Sequence, residues 1–213
     1  MEILAEPAGG FARDDAPPVV LASASAARRM LLGQAGVPHA IEPARIDEES
    51  VKLSLKAEQA TASQAAETLA ELKAQKISTR HPTALVIGAD QMMDCENRWF
   101  DKPTSLDQAA DHLRALSGRT HRLTSAVVIV RSGSRTWHHV AEAELTMRRL
   151  DEAFIARYLE AAGERSLDSV GAYQLEGAGI QLFSRIAGDY FAILGLPLLP
   201  LLEALRDQAV LER

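Results

Sequence analysis

Several short segments of this chain carry residue types that could handle a phosphate ester or anhydride. In Leu21-Ala-Ser-Ala-Ser-Ala-Ala-Arg-Arg, small residues let a turn run tight before a helix. Ser23 and Ser25 offer hydroxyls, the helix start offers free N–H groups, and Arg28 and Arg29 offer planar forks of donors, so the segment can bind an anion. The same residues would serve a plainer purpose with Ser25 as a helix cap and both arginines in solvent. Asp90 follows an apolar run and is either a general base or Mg²⁺ ligand, or a turn cap or partner of Lys102. Glu48 in Ile46-Asp-Glu is a candidate second carboxylate, or part of a solvated acidic loop. Lys73 and Lys102 are candidate phosphate ligands among lysines that mostly face water. Gly171-Ala-Tyr-Gln-Leu-Glu-Gly-Ala-Gly, which holds Tyr173 and Glu176, could bring backbone close to a ligand or simply make two turns.

Other chemistries lack their residues. The six histidines show no zinc spacing, and His138-His139 would point to opposite faces of a strand. No Walker loop, G-x-G-x-x-G or G-x-S-x-G occurs. With 23 basic against 29 acidic residues the net charge is −6, and no basic stripe exists for a polynucleotide backbone. A small anionic ligand would need local cations, helix-end amides or a metal ion against that field. Cys95 is the single cysteine, which excludes an internal disulfide and fits a reducing, cytoplasmic compartment. The start of the chain lacks the basic and apolar pattern of a secretory leader. The longest near-apolar run, Phe191 to Leu202, contains Gly195, Pro197 and Pro200 and is too short for a bilayer, so no membrane association is expected.

The elements that must position these residues alternate in type. At 213 residues, with 47% hydrophobic and 24% charged residues, the chain has the composition of one globular domain or two packed lobes. Residues 1 to 18 read as a loose tail and 19 to 213 as the working domain. A strand at Val19-Val20-Leu21-Ala22 leads into a helix from Ala26 to Ala35 stopped by Gly36. A long helix is expected from about Lys56 to Thr79, ended by His81-Pro82. Ala84 to Ala89 is apolar throughout, the pattern of a strand covered on both faces, and should present Asp90 at its carboxyl end. Ser105 with Gln108 forms a capping box for a helix to Leu116. Strands His121 to Arg131 and Thr136 to Arg148 should form a hairpin across Ser132-Gly133-Ser134. A helix from Asp151 to Ala162, a strand from Ile180 to Ile186 and a helix after Pro197 complete an α/β chain with a mixed sheet and flanking helices.

Taken together and in this order, these segments resemble the Maf family, the septum-formation-inhibitor-like nucleoside triphosphate pyrophosphatases. The resemblance covers about Val19 to Leu205. Besides the serine-arginine segment it rests on Ile46-Asp-Glu, Leu72-Lys-Ala, Ile87-Gly-Ala-Asp-Gln, Lys102-Pro, Leu116-Ser-Gly-Arg-Thr-His, Val170-Gly-Ala-Tyr, Gly188-Asp-Tyr and Gly195-Leu-Pro-Leu. It implies an elongated, two-lobed α/β domain with a central cleft, similar to inosine-triphosphate pyrophosphatases, and a homodimer. It implies cleavage of a nucleoside triphosphate between the α- and β-phosphates with a divalent metal, Mg²⁺ or Mn²⁺. Asp90 would be the proton acceptor or a metal ligand, Glu48 a metal ligand, and Ser23, Arg28, Lys73 and Lys102 would line the phosphate site. A nucleotide-sensing regulator of cell division or septum formation that uses the same pocket without turnover is the alternative, and a hydrolase of another phosphate ester a third reading.

Within the family, Gln91 and Glu176 resemble the 7-methyl-GTP subfamily, whereas the uridine and thymidine triphosphate subfamily has threonine and glutamine there. A carboxylate can accept two hydrogen bonds from the guanine edge and favours a base made positive by methylation. Ala27 departs from both subfamilies, which carry tryptophan or arginine at that position, and Trp99 or Tyr173 is expected to supply the missing aromatic.

Overall fold

A computed structural model describes residues 11–213. Seven strands form a mixed sheet: β1 (Val19–Leu21), β2 (Ala40–Ile41), β3 (Leu85–Cys95), β4 (Arg98–Phe100), β5 (Thr120–Arg131), β6 (Ser134–Met147) and β7 (Phe183–Ala187). Their order is β2-β1-β3-β5-β6-β7, with β4 paired to β3. The helices are α1 (Ala26–Gln34), α2 (Glu48–Ala57), α3 (Ala62–Ser78), α4 (Leu106–Leu116), α5 (Glu152–Ala162), α6 (Tyr190–Ile193) and α7 (Leu198–Asp207). The expected α/β class with a mixed sheet and flanking helices is what the chain adopts. It divides into two compact units, one holding the residues up to Asp90, Ser125–Ala141 and Gly195–Arg213, the other Gln91–Thr124 and Glu142–Leu194.

In the first unit β1 runs parallel to both β2 and β3, with Leu21 paired to Ile87. Parallel strands are buried on both faces, and Val19 to Leu21 and Leu85 to Ile87 are all at most 5% exposed. The sheet-facing side of α3 is built largely of small residues: Ala65, Ala66, Ala70 and Ala74 are fully buried beside Leu69 and Ile77. Gly88 completes that contact, because an added Cβ would stand 2.8 Å from the Cβ of Ala74 and would also run into the carbonyl oxygen of Ala70. The helix can therefore lie close on β3 two residues before Asp90.

Three expectations are corrected here. The helix expected from Lys56 to Thr79 is two helices: Gln59 takes a φ of 58°, and Thr61 starts α3 with a reciprocal capping box to Gln64. Asp90 does not end its strand. The ladder to β1 stops at Leu21 and Ile87, and β3 continues to Cys95 as a hairpin with β4, turning at Glu96 and Asn97 with φ of 51° and 65°. Asp90 thus lies just past the point where β3 outruns its parallel neighbour. The capping box expected at Ser105 is half formed: Ser105 Oγ accepts from Gln108 N, but the Gln108 side chain accepts from Thr104.

In the first unit the hairpin between β5 and β6 turns at Ser132 and Gly133, both with positive φ, as a two-residue turn requires. In the second unit β7 pairs antiparallel with β6. Its buried His121 and Tyr173 are in ring contact with each other and with the half-buried Phe183. The glycine-rich segment forms short 3₁₀ turns at Val170–Ala172 and Ala178–Leu182, and the latter takes the first residues of the strand expected from Ile180. Of the tail expected over residues 1 to 18, residues 1–10 lie outside those described; Phe11 and Arg13 pair with Glu212 and Val210 through their backbones. Among the described residues no helix is long and apolar enough to cross a membrane.

Candidate active site

The first unit brings together five of the expected site residues. Ser23 ends the apolar β1 segment and is 7% exposed. Ser25 caps α1, its hydroxyl accepting from Arg28 N at 3.4 Å, and the Arg28 side chain is buried rather than in solvent. Glu48 opens α2 behind the cap Asp47, so it belongs to a helix rather than to an acidic loop. Lys73 projects from α3 and Asp90 from β3; they are 7% and 5% exposed.

Lys73 joins the two carboxylates. Its Nζ donates to Asp90 Oδ1 at 2.6 Å and forms an ion pair with Glu48 Oε1 at 2.8 Å. Buried charges persist only where they are paired, and each member of this trio is paired through the one ammonium. Burial would raise the Glu48 carboxyl, but Lys73, with Lys52 and Arg28 behind it, outweighs burial and holds it below the usual glutamate value. Asp90 Oδ2 is buried and, among the described residues, has no hydrogen-bond partner. A buried carboxylate oxygen left unbonded is costly and marks the place of something that the folded chain does not itself supply.

Arg28 makes contacts that the sequence did not announce. Its Nε donates to Gly195 O at 2.8 Å, and its Nη1 donates to Ala89 O at 2.9 Å and to Ser23 Oγ at 3.1 Å. One guanidinium therefore ties together the β1 turn, the residue before Asp90 and the loop ahead of α7. Burial lowers its pKa, against the pull of Asp90 and Glu48. Gly195 takes a φ of 94° and would bring a Cβ to 3.4 Å from Arg28 Nε, so glycine suits that loop for both reasons. Sequence reasoning missed the Ala89 and Gly195 carbonyls; the signal available was Gly195 at the head of its own short motif.

These groups can neutralise a polyanion and hold a hard cation. Among the described residues no three His, Cys, Asp or Glu side chains gather around one point. Two carboxylates, one with an unbonded oxygen, nevertheless fit Mg²⁺, which takes one or two carboxylates and completes its shell with water and substrate phosphate oxygens.

Ala27 lies beside Arg28 on α1 and is half-buried. The remaining expected residues belong to the second unit. Gln91 follows Asp90 on β3 and donates its amide to Ala192 O and Ile193 O at 3.2 and 3.0 Å. Lys102 and Glu176 are exposed. Glu176 acts through space on Tyr158, whose hydroxyl is pushed up to about 12 mainly by burial. Tyr173, one of the two residues expected to supply the aromatic absent at Ala27, is 4% exposed and its hydroxyl meets His121 Nε2 at 2.7 Å, so it is a core residue. The His121–Tyr173 pair was itself unforeseen, although both residues sat in the motifs.

The arrangement defines a mixed α/β protein with an ammonium-bridged carboxylate pair beside a buried arginine. The profile of the Maf family, described as Maf-like protein, matches residues 18–208, and the chain belongs to that family. It is 56% identical over 192 residues to the nucleoside triphosphate pyrophosphatase of Paramagnetospirillum magneticum, covering 90% of this chain and 99% of that one. It is 54% identical over 196 residues to the 7-methyl-GTP pyrophosphatase of Rhizobium etli, covering 92% and 98%. A nucleoside triphosphate pyrophosphatase of Granulibacter bethesdensis is 53% identical over 193 residues, 91% and 98% of the two chains.

Proposed function

We propose that this chain is a nucleoside triphosphate pyrophosphatase that adds water across the α–β phosphoanhydride, releasing a nucleoside monophosphate, pyrophosphate and a proton. The observation that carries the reading is the pair Glu48 and Asp90 on the Lys73 ammonium, with the second Asp90 oxygen buried and unbonded, in a chain more than half identical to proteins of that name.

Asp90 orients the attacking water and accepts its proton, and Asp90 and Glu48 would hold a divalent cation, Mg²⁺ or Mn²⁺. Such a cation, once bound, neutralises phosphate oxygens and acidifies water. Lys73 neutralises the phosphate chain, Ser23 and the α1 N-terminus donate to it, and Arg28 fixes the backbone around them while adding positive potential; Lys102 is a further candidate phosphate ligand on the family resemblance alone. The formal charges of Glu48, Asp90, Lys73 and Arg28 cancel locally, so the acidic net charge of the chain does not repel the substrate from this spot.

The substrate is a modified purine nucleotide such as 7-methyl-GTP. Glu176 accepts from the guanine edge and favours the positive methylated ring; Gln91, whose amide donates to Ala192 O and Ile193 O, and Ala27 are further candidates for substrate choice on the family resemblance. The working form is a homodimer of the domain 19 to 213, in the cytoplasm.

The test is product analysis on full-length protein with Mg²⁺ or Mn²⁺ across 7-methyl-GTP, GTP, UTP, dTTP and CTP. Pyrophosphate from every hydrolysed nucleotide, fastest from 7-methyl-GTP, supports the reading. Orthophosphate alone would move the protein to another class of phosphate hydrolase, and binding without turnover to a sensing regulator.

A further inference from the structure

The two buried cations of the site are held in opposite ways. Arg28 bonds to two backbone carbonyls and a hydroxyl, none of which a metal would claim first. The Lys73 bonds go to Asp90 and Glu48, the two carboxylates that fit a divalent cation. An ammonium 2.6 Å from Asp90 Oδ1 and 2.8 Å from Glu48 Oε1 occupies the position between them that a cation bridging the two carboxylates would take, with Asp90 Oδ2 left open beside it. Two cations cannot share that position, and Mg²⁺ demands ligand oxygens at about 2.0–2.1 Å in a near-octahedral set. Lysine is suited to yield, because its charge is a single point on a flexible four-carbon stem, whereas the Arg28 fork is locked by its carbonyls.

We infer that the Lys73 ammonium is a placeholder, holding Glu48 and Asp90 together until a divalent cation takes them over, after which it serves the substrate's phosphates. This rests on the metal-assisted reading above. Before substrate arrives, Lys73 opposes metal loading, since displacing the ammonium leaves a buried charge without its partners. A nucleotide's phosphates give that ammonium new partners, so metal and nucleotide bind with positive coupling through one side chain. The pairing also explains how two carboxylates stay close in a folded chain without metal: the ammonium suppresses their repulsion.

Mn²⁺ alone is titrated into nucleotide-free, full-length protein, with free ion followed by electron paramagnetic resonance. Lys73→Met is expected to bind Mn²⁺ at least about fivefold more tightly than the unmutated chain, the effect of removing one unit charge at about 4 Å in a water-like surrounding. Lys52→Met removes a charge that acts on Glu48 through space. That control is expected to shift affinity by less than Lys73→Met does. Equal or weaker Mn²⁺ binding by Lys73→Met overturns the inference.

A second measurement needs no variant. Reductive methylation of the unmutated chain, read by mass spectrometry, is expected to label Lys73 slowly without metal, its side chain being 9% exposed and doubly paired, and several-fold faster with Mn²⁺. Unchanged or slower labelling contradicts release of the ammonium. Neither readout requires turnover, so a chain that releases pyrophosphate but fails both keeps its function and loses this inference. A chain that passes both without releasing pyrophosphate loses only the function.

Discussion

A β-carbon on Gly88 would stand 2.8 Å from the β-carbon of Ala74, one residue from the lysine that bridges the site carboxylates. Gly88 keeps an ordinary φ, so the constraint is space and not backbone conformation. Gly88→Ala must push α3 away from β3 and carry Lys73 with it. Overpacking of this kind costs about 1–3 kcal/mol. We expect a loss in that range from urea denaturation, together with a fall in turnover larger than any change in KM.

Arg28→Lys separates charge from geometry. A lysine keeps the positive potential but cannot reach Gly195 O, Ala89 O and Ser23 Oγ from one planar fork. Hydrogen bonds made by charged groups contribute about 1.5–3 kcal/mol each, so Arg28→Lys should lower stability by at least about 2 kcal/mol as well as activity. Full stability with reduced nucleotide affinity would instead make Arg28 a phosphate ligand and nothing more.

His121 gives the fold an acid limit. Burial pulls its pKa down from 6.5 to about 4, and it lies among Tyr173 and Phe183 with its Nδ1 unpartnered among the described residues. The unfolded chain takes up a proton near the ordinary value, and the folded chain resists it until about 4. The contribution of His121 is therefore complete above pH 6.5 and is lost as pH falls toward 4. A tenfold change in proton affinity corresponds to about 1.4 kcal/mol, so the loss amounts to about 3 kcal/mol. Urea midpoints should fall between pH 7 and pH 4.5 in the unmutated chain and fall less in His121→Gln. The Glu48 carboxyl, held low by Lys73, adds a loss of the same sign at lower pH.

Glu176→Gln tests the base preference. The substitution removes the charge that favours a methylated, positive guanine and leaves an amide that a pyrimidine edge tolerates. Activity on 7-methyl-GTP should drop far more than activity on UTP, measured as kcat/KM for each. Equal losses on both would remove Glu176 from substrate choice.

Much of this architecture was legible because its signals are local. The apolar run to Ala89 announced a doubly covered strand, Ser132-Gly133 announced the hairpin turn, and the serine before Ala26 announced a helix cap. The errors arose where tertiary partners decide. Gln91 to Cys95 carries no strong strand signal, and it extends β3 because β4 pairs with it once β1 has ended. The break at Gln59 lies in a stretch of good helix formers and is set by the cap at Thr61. The residue types of the site were readable, but the Lys73 bridge and the unbonded Asp90 oxygen were not, since they depend on how closely α3 lies on β3. The carbonyl partners of Arg28 were hidden as well, since a backbone carbonyl is a group every residue carries and no sequence pattern reveals.

The most direct test of the account is pyrophosphate release from 7-methyl-GTP and Mg²⁺ by the unmutated chain and by Asp90→Asn. Asparagine keeps the shape but can neither accept the proton nor offer a charged oxygen to a cation. Loss of a general base costs about 10²–10⁴-fold, and the account predicts a fall in that range or beyond, with the folded state intact by circular dichroism. Pyrophosphate release by Asp90→Asn within a few-fold of the unmutated rate would contradict it.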